Sequence, residues 1–331
     1  MHINKQNIPK KILHWYDNNK RPLPWRKKNT KKQHEYYTLV SEFMLQQTQV
    51  KTVIPFFNRF IKKFPNLKSL AIADEDKVLK YWEGLGYYSR AKNLQKTAAL
   101  LLSDYRGSLP KDIEKLKALP GIGEYTSRSI LSIAHNQPYI PMDGNVERIL
   151  KRVFLLKNKD QISKENLIEK KSFFSNAKRS SDYAQAIMEI GALICKPSLP
   201  ICTSCPLTNY CKAYKKKDFV IISTNRKTKT KYFEAQVYKY KKKYLLIKNK
   251  KFSFLKNLVI FPMNEINKKK FQLSIDKKIN IKLSNMNMKI IINRNKKKKK
   301  IKNSLLLEKS NLNKYILPSF TKKIFNSLPN L

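Results

Sequence analysis

Four thiols fall within one short stretch, as Cys195-x6-Cys202-x2-Cys205-x5-Cys211, with Pro197, Pro200 and Pro206 between them. In a reducing compartment disulfides do not persist, so clustered thiols point to metal ligation. Zinc and an iron–sulfur cluster both accept four thiolates; four unligated structural thiols are the bland alternative. Zinc ribbons use two Cys-x2-Cys knuckles, and only one such pair occurs here. The spacing therefore favours a [4Fe–4S] cluster held by Cys195, Cys202, Cys205 and Cys211.

A second pattern is Leu119-Pro120-Gly121-Ile122-Gly123, followed by Glu124-Tyr125-Thr126 and an apolar run at helical spacing. Two glycines around one apolar residue make a tight turn, and backbone N–H groups at the start of the next helix can approach a phosphate without Cβ obstruction. This reads as a helix-hairpin-helix, against a plain glycine-rich turn. Further on, Pro141-Met142-Asp143-Gly144-Asn145 puts an Asp at a helix start, where an ordinary N-cap would look the same. A third pattern is Ser41-Glu42-Phe43-Met44-Leu45-Gln46-Gln47-Thr48-Gln49-Val50. Continued as one helix, it puts Glu42, Gln46 and Gln49 on a shared polar face. A solvated face is the simple reading, but glutamine both donates to and accepts from exposed bases.

These groups need elements to hold them. The chain has 331 residues, enough for two or three domains, and 41% hydrophobic residues, enough for a real core. Leu39, Val40, Phe43, Met44, Val50, Val53 and Ile54 recur at helical spacing, as do Ile130, Leu131, Ile133 and Ala134. Trp15, Trp25 and Trp82 are expected in the core. All seven glycines precede residue 192, so the composition breaks after the cysteines. Beyond the break, YFEAQVYKY, YLLIK, NLVIFP and MKIIIN are rich in aromatic and β-branched residues and predict strands of a small α+β domain. Residues 216–230 read as a linker and Lys296 to Lys300 as a solvated loop. No internal repeat is evident.

The net charge of +47 points to a polyanionic partner, with nucleic acid ahead of an anionic membrane surface. From residue 226 onward 30 Lys or Arg face four acids, so the tail is the more basic part. Abundant Lys, Asn and Ile also suit an AT-rich genome. No apolar run approaches the roughly 18 residues that span a bilayer, and the N-terminus lacks a signal-peptide pattern. A cytoplasmic protein without a membrane role is expected, monomeric by default.

Taken together, LPWR, SEFMLQQTQV, YWEGLGYYSRAKNL, LPGIGEYT, PMDGNVERIL, QAIMEIGALIC and the cysteines resemble the MutY family of adenine DNA glycosylases. That family lies within the helix-hairpin-helix superfamily that includes endonuclease III. The resemblance runs from residue 8 to about 215 and is weak after that. It implies a mainly α catalytic region, a six-helix barrel over 30–135 and an iron–sulfur helical lobe from 1–29 and 136–215. A diverged Nudix-like α+β domain over 231–331 would follow. The implied activity is removal of a flipped-out adenine, mispaired with 8-oxoguanine or guanine in duplex DNA, by N-glycosidic hydrolysis.

By matching position the resemblance makes Glu42 the general acid that protonates the adenine ring. It makes Asp143 the carboxylate that stabilises the oxocarbenium charge. The pair is chemically coherent, since one carboxyl must be protonated and the other ionised at one pH; burial would raise Glu42 while helix-start N–H groups keep Asp143 anionic. Tyr125 stands where endonuclease III-like enzymes carry a lysine nucleophile, and a phenol cannot form an imine, which implies a monofunctional enzyme. Arg26, Gln185 and Asn145 match positions that line the adenine pocket or orient the reacting groups. Gln46, Thr48, Gly121 and Gly123 belong to the matching DNA-facing motifs, and Gln47, Tyr87 and Leu85 look like wedges into the duplex. Glu147 stands where relatives often have Lys. In the tail, Leu283-Ser284-Asn285 falls where the family reads the lesion with Phe-Ser-His, leaving Ser284 to hydrogen-bond the damaged base. Reduced selectivity for 8-oxoguanine over guanine is expected. Nucleotide hydrolysis by the tail is not, because it has no Gly and few acids. Two other functions remain: an endonuclease III-like glycosylase and lyase for oxidised pyrimidines, and a non-catalytic DNA-binding or redox-sensing iron–sulfur protein.

Overall fold

The computed structural model describes residues 7–27, 30–157, 178–219, 229–252, 258–283, 286–295, 301 and 304–328. The chain divides into two compact units, one of residues 1–73 and 90–223, the other of 74–89 and 224–331.

In the first unit every regular element among the described residues is helical. The order is α1 (Asn7–Asn19), a short 3-10 turn at Pro24–Arg26, α2 (Lys31–Leu45), α3 (Val50–Lys63) and α4 (Leu67–Ala71). After α5 (Glu75–Trp82), which belongs to the other unit, come α6 (Tyr88–Asp104), α7 (Ile113–Lys117), α8 (Glu124–His135), α9 (Gly144–Phe154), α10 (Ser180–Leu193) and α11 (Lys212–Lys215). Side-chain oxygens fix many of the starts, because the first N–H groups of a helix have no partner within it. Thr30, Asn66, Asp112 and Asp143 each accept a backbone N–H there. One core cluster joins Ile8, Ile12 and Tyr16 of α1 to Val146, Ile149 and Leu150 of α9 and to Tyr183, Ile187 and Ile190 of α10. Trp25 and Trp82 are buried as expected. Trp15 is only half-buried, at the edge of that cluster, so its placement wholly in the core is corrected.

The run from Glu42 to Gln49 is not one helix. Helix α2 stops at Leu45, Gln46 has left helical geometry, and Gln47 takes a left-handed backbone with φ 55°. The shared polar face expected for Glu42, Gln46 and Gln49 therefore does not exist. Its cause is Arg90 of α6, whose guanidinium donates to the carbonyls of Phe43, Met44 and Gln46 and to Thr48 Oγ1. It thus takes up carbonyls that a continuing helix would have satisfied.

The second unit holds a mixed sheet. Its strands are β1 (Lys229–Tyr240), β2 (Lys243–Lys248), β3 (Val259–Ile260), β4 (Met263–Ile266), β5 (Lys277–Leu283), β6 (Met286–Asn295) and β7 (Ser304–Glu308). The order is β3-β2-β1-β6-β5, with β4 also paired to β1 and β7 to β2. The central β1–β6 pair is parallel, with Phe233 opposite Ile290. YFEAQVYKY, YLLIK and MKIIIN lie in it as expected, while among the described residues of NLVIFP only Val259–Ile260 forms a strand. Helix α12 (Lys268–Leu273) follows β4, and α13 (Ser319–Ser327) buries Phe320, Ile324 and Phe325 against Phe233, Leu246 and Ile290. Residues 220–228, most of the expected linker, and the expected loop 296–300 lie outside the described residues.

Phe325 is fully buried, with ring centroids 4.7 Å from Phe261 and 5.4 Å from Tyr244. Phe325→Ala should cost about 3–5 kcal/mol, read as an earlier urea transition of this unit, with Phe325→Leu losing much less.

Candidate active site

Glu42 lies in the last turn of α2 and is 5% exposed. Burial pushes its carboxyl from the ordinary 4.5 up to about 7; the Ser129 hydroxyl works against that shift and the nearby Asp143 adds to it. Such a group holds a proton near neutrality and can hand it over. Asp143 is built in the opposite way. As N-cap of α9 its Oδ1 accepts the N–H of Asn145 at 2.9 Å and of Val146 at 2.7 Å, while Oδ2 accepts Asn145 Nδ2 at 2.8 Å. Three donors on an N-terminal cap fix the orientation of that carboxylate. The ordinary N-cap reading and the functional one therefore describe the same geometry.

Tyr125, in the first turn of α8, completes the group. Burial, then the negative charges of Glu42 and Asp143, push its phenol well above the ordinary range, so it stays protonated. Its hydroxyl donates to Met188 Sδ at 3.7 Å. Glu42, Asp143, Tyr125 and Asn145 thus come together from α2, α8 and α9. Ser129, which neighbours both Glu42 and Tyr125, was missed, since a serine on an apolar helix face gives no distinctive signal.

Gln46 ties the end of α2 to the glycine hairpin, its Nε2 donating to the Gly121 carbonyl at 3.2 Å and to Thr126 Oγ1 at 3.3 Å. Gly121 has φ 80°, and a Cβ there would lie 2.8 Å from Phe43 Cε1 and from Asn93 Cβ. Only glycine fits that position. Gly123 caps α8 with open space around it and no side-chain partner, leaving the helix start accessible to an anion. Thr48 Oγ1 donates to the Gln46 carbonyl at 3.3 Å. Gln47 is exposed.

Arg26 donates from Nε to Gln185 Oε1 at 2.7 Å and pairs with Glu189 at 2.9 Å. Arg21 grips the same carboxylate through two bonds. Glu189, 1% exposed, is a buried anion neutralised by two guanidiniums, and it fixes Arg26 and hence the Gln185 amide. Its role was not visible in the sequence, because its partners stand more than a hundred residues away.

The loop Gly84–Tyr87 belongs to the other unit. Tyr87 is left-handed with φ 48° and half-buried, and Leu85 is 7% exposed. Ser284 lies outside the described residues. Glu147, where a lysine was expected in relatives, pairs with Lys151 of its own helix.

Cys195, Cys202, Cys205 and Cys211 are unbridged and line one cavity, together with Arg152 and Leu207. Among the described residues no three His, Cys, Asp or Glu side chains are gathered as a metal-binding group. Burial raises the Cys205 thiol to about 12, and Cys202 and Cys211 are raised by the same cause. Thiols so placed ionise when a cationic group binds them. A chain of bonds leads from here to the Asp143 carboxylate. Arg148 donates to the Cys195 carbonyl at 2.7 Å, to the Gly191 carbonyl at 2.7 Å and to Asn145 Oδ1 at 2.8 Å, and Asn145 holds Asp143.

The description "HhH-GPD superfamily base excision DNA repair protein" matches residues 40–174. An adenine DNA glycosylase of Buchnera aphidicola subsp. Baizongia pistaciae is 38% identical over 258 residues, which cover 76% of this chain and 72% of that protein. Among solved structures, a thermostable thymine-DNA glycosylase superposes with TM-score 0.56 at 23% identity, over 64% of this chain and 97% of that one. A non-covalent endonuclease III–DNA complex does so with TM-score 0.52 at 23% identity, over 65% and 99%. The helical fold is common to them. No described helix is long and apolar enough to cross a membrane.

Two outcomes follow from the site. A Cβ on Gly191 would sit 2.5 Å from Asn145 Cβ, so Gly191→Ala should displace Asn145 and slow catalysis by about tenfold to 10²-fold, with little loss of helicity by circular dichroism. The second concerns stability. Glu42 titrates near 4.5 unfolded and about 7 folded, so the folded state binds the proton more tightly. Stability falls as pH rises between those values and that contribution is gone above the upper one. Glu42→Gln removes the penalty and should be more stable than the parent in alkaline denaturant melts, by on the order of 3 kcal/mol, and equal to it in acid.

Proposed function

The chain belongs to the MutY-type adenine DNA glycosylase family, hydrolases of N-glycosyl bonds in base excision repair, and on that premise we propose that it removes adenine opposite 8-oxoguanine or guanine in duplex DNA. It leaves an abasic site without cutting the strand. The observation that carries this reading is the carboxyl pair: Glu42 buried and protonated near neutrality, beside Asp143 capped by three donors.

In this mechanism the flipped adenine receives the Glu42 proton on a ring nitrogen, so the base departs neutral as the C1′–N bond breaks and its electron pair goes to the base. The sugar is left as an oxocarbenium ion, and the Asp143 carboxylate offsets its charge until water adds at C1′. The proton lost by that water ends on Glu42, which restores the starting state. Tyr125 is a neutral phenol that orders the pocket and forms no imine with the sugar, which supports the monofunctional reading. Arg26, locked on Glu189, and Gln185, held in turn by Arg26, supply a fixed polar edge for the base. Gln46, Thr48, Gly121 and Gly123 hold and meet the DNA backbone, and Gln47 and Tyr87 wedge the duplex; Leu85, expected beside them, is buried and does not join them.

Cys195, Cys202, Cys205 and Cys211 fit a [4Fe–4S] cluster, since four unbridged thiols ring one cavity. When bound, the cluster supplies the positive charge that stabilises their thiolates and cross-links the loop they sit on. The lobes at 1–29 with 136–215 and 30–135, and a Nudix-like lesion reader over 231–331 including Ser284, complete the proposal. The basic tail adds phosphate attraction that strengthens binding without discriminating sequence.

The test is single-turnover adenine release from duplexes pairing A with 8-oxoguanine, G or C, with gels run with and without alkali. The expected order puts A opposite 8-oxoguanine first, with strand cleavage only after alkali and no borohydride-trapped adduct. Glu42→Gln should lose about 10²-fold or more. The parent's rate should fall as pH rises through about 7, because only protonated Glu42 is the acid. A rate that holds steady across that range, or a trapped adduct, would sink the assignment.

A further inference from the structure

Glu83, the residue that ends α5, accepts three donors on a side chain only 10% exposed. Its Oε2 takes Lys80 Nζ at 2.8 Å; its Oε1 takes Lys322 Nζ at 2.9 Å and the Leu317 N–H at 3.1 Å. Lys80 Nζ also donates to the Tyr315 carbonyl at 3.2 Å. Burial would raise this carboxyl, but Lys80, Lys322 and the Leu317 N–H hold it below its ordinary value, so it is a carboxylate at neutral pH. Three of these contacts reach the segment from Tyr315 to Lys322. There α13 begins, with Phe320, Ile324 and Phe325 locked into the sheet core. The carboxylate therefore reports the position of that helix.

The other side of Glu83 is the loop. The backbone runs through Gly84 at φ 107°, Gly86 at φ 72° and Tyr87 at φ 48°. The Leu85 N–H bonds the Trp82 carbonyl at 3.1 Å, and Trp82 Nε1 donates to the Gly86 carbonyl at 3.1 Å. Tyr88, buried, bonds the Gly84 backbone. A turn pinned so closely at both ends, with a left-handed non-glycine residue in it, has little freedom except to follow its anchors.

We infer that Glu83 is a positioning residue through which the C-terminal sheet unit sets the Leu85–Tyr87 turn, so that what this unit engages on the DNA governs how Tyr87 enters the duplex. The inference rests on the reading of Tyr87 as a wedge. It assigns Glu83, Lys322 and Leu317 a role in base release although none of them meets the base.

The test uses the full-length holoprotein as wild type, Glu83→Gln, Lys322→Gln, Lys322→Arg and Tyr87→Ala, with Glu83→Gln and Lys322→Gln also combined with Tyr87→Ala. Adenine release is measured in single turnover, and the fluorescence of 2-aminopurine placed beside the target adenine reports unstacking. Glu83→Gln and Lys322→Gln are expected to slow release about tenfold each and to lower the 2-aminopurine signal, with Lys322→Arg restoring both. Neither should slow Tyr87→Ala any further, because the loss passes through that residue. Losses that multiply in the Tyr87→Ala background, or wild-type rates in both single variants, overturn the inference and leave Glu83 a merely structural group. Failure of the underlying reading is separate. It appears as no adenine release by wild type, or as a silent Tyr87→Ala, and either result takes the inference with it.

Discussion

Two carboxyl groups close enough to feel each other, one buried and one capped, are the constraint that organises the helical unit. Glu42 tolerates burial only as a neutral acid, and Asp143 beside it reinforces that state. Asp143 is held in place by the first N–H groups of α9 and by Asn145. Most other features of the site serve this asymmetry. Arg90 ends α2 just after Glu42, Gly191 allows α10 to approach Asn145, and Arg148 holds Asn145 from behind. Two arginines, Arg90 and Arg148, each bonded to several backbone carbonyls, anchor the helices that carry the pair.

Much of the site was legible because its chemistry is local in sequence. The four cysteines announce themselves by spacing, Gly121 and Gly123 by the turn that only they permit, and Asp143 by its place before a helix. Glu42 became visible only as part of a longer motif, since a lone acid on an amphipathic helix says nothing about burial. Buried polar partners were not legible. Glu189 and its two arginines, Arg90 on the end of α2, and Ser129 beside Glu42 all act across long sequence separations or through backbone carbonyls, for which residue type gives no signal. The mistaken polar face of Glu42, Gln46 and Gln49 has the same origin: the helix stops because of Arg90, more than forty residues later.

The C-terminal unit shows the limits of pattern from another side. Its strands were readable from β-branched and aromatic runs, and the absence of glycine after residue 191 did not prevent a tight hairpin, since Lys241 takes the left-handed position between β1 and β2 at φ 53°. Such a lysine bears a conformational cost that glycine would not. The grouping of residues 74–89 with this unit rather than with the flanking helices left no trace in composition, because it depends on a few ion pairs and on α13.

That grouping has a consequence for how the molecule comes into being. The chain is made from its N-terminus, so α5 and the Gly84–Tyr87 loop emerge long before the strands and the helix they are built with. Their partner Lys322 follows more than two hundred residues after them, and the central β1–β6 pairing is itself non-local and parallel, a slow kind of contact to form. The helices on either side can fold while this insert waits. Completion of the loop is thereby tied to synthesis past Lys322, and a nascent chain shorter than that carries the acid and the carboxylate without the finished turn.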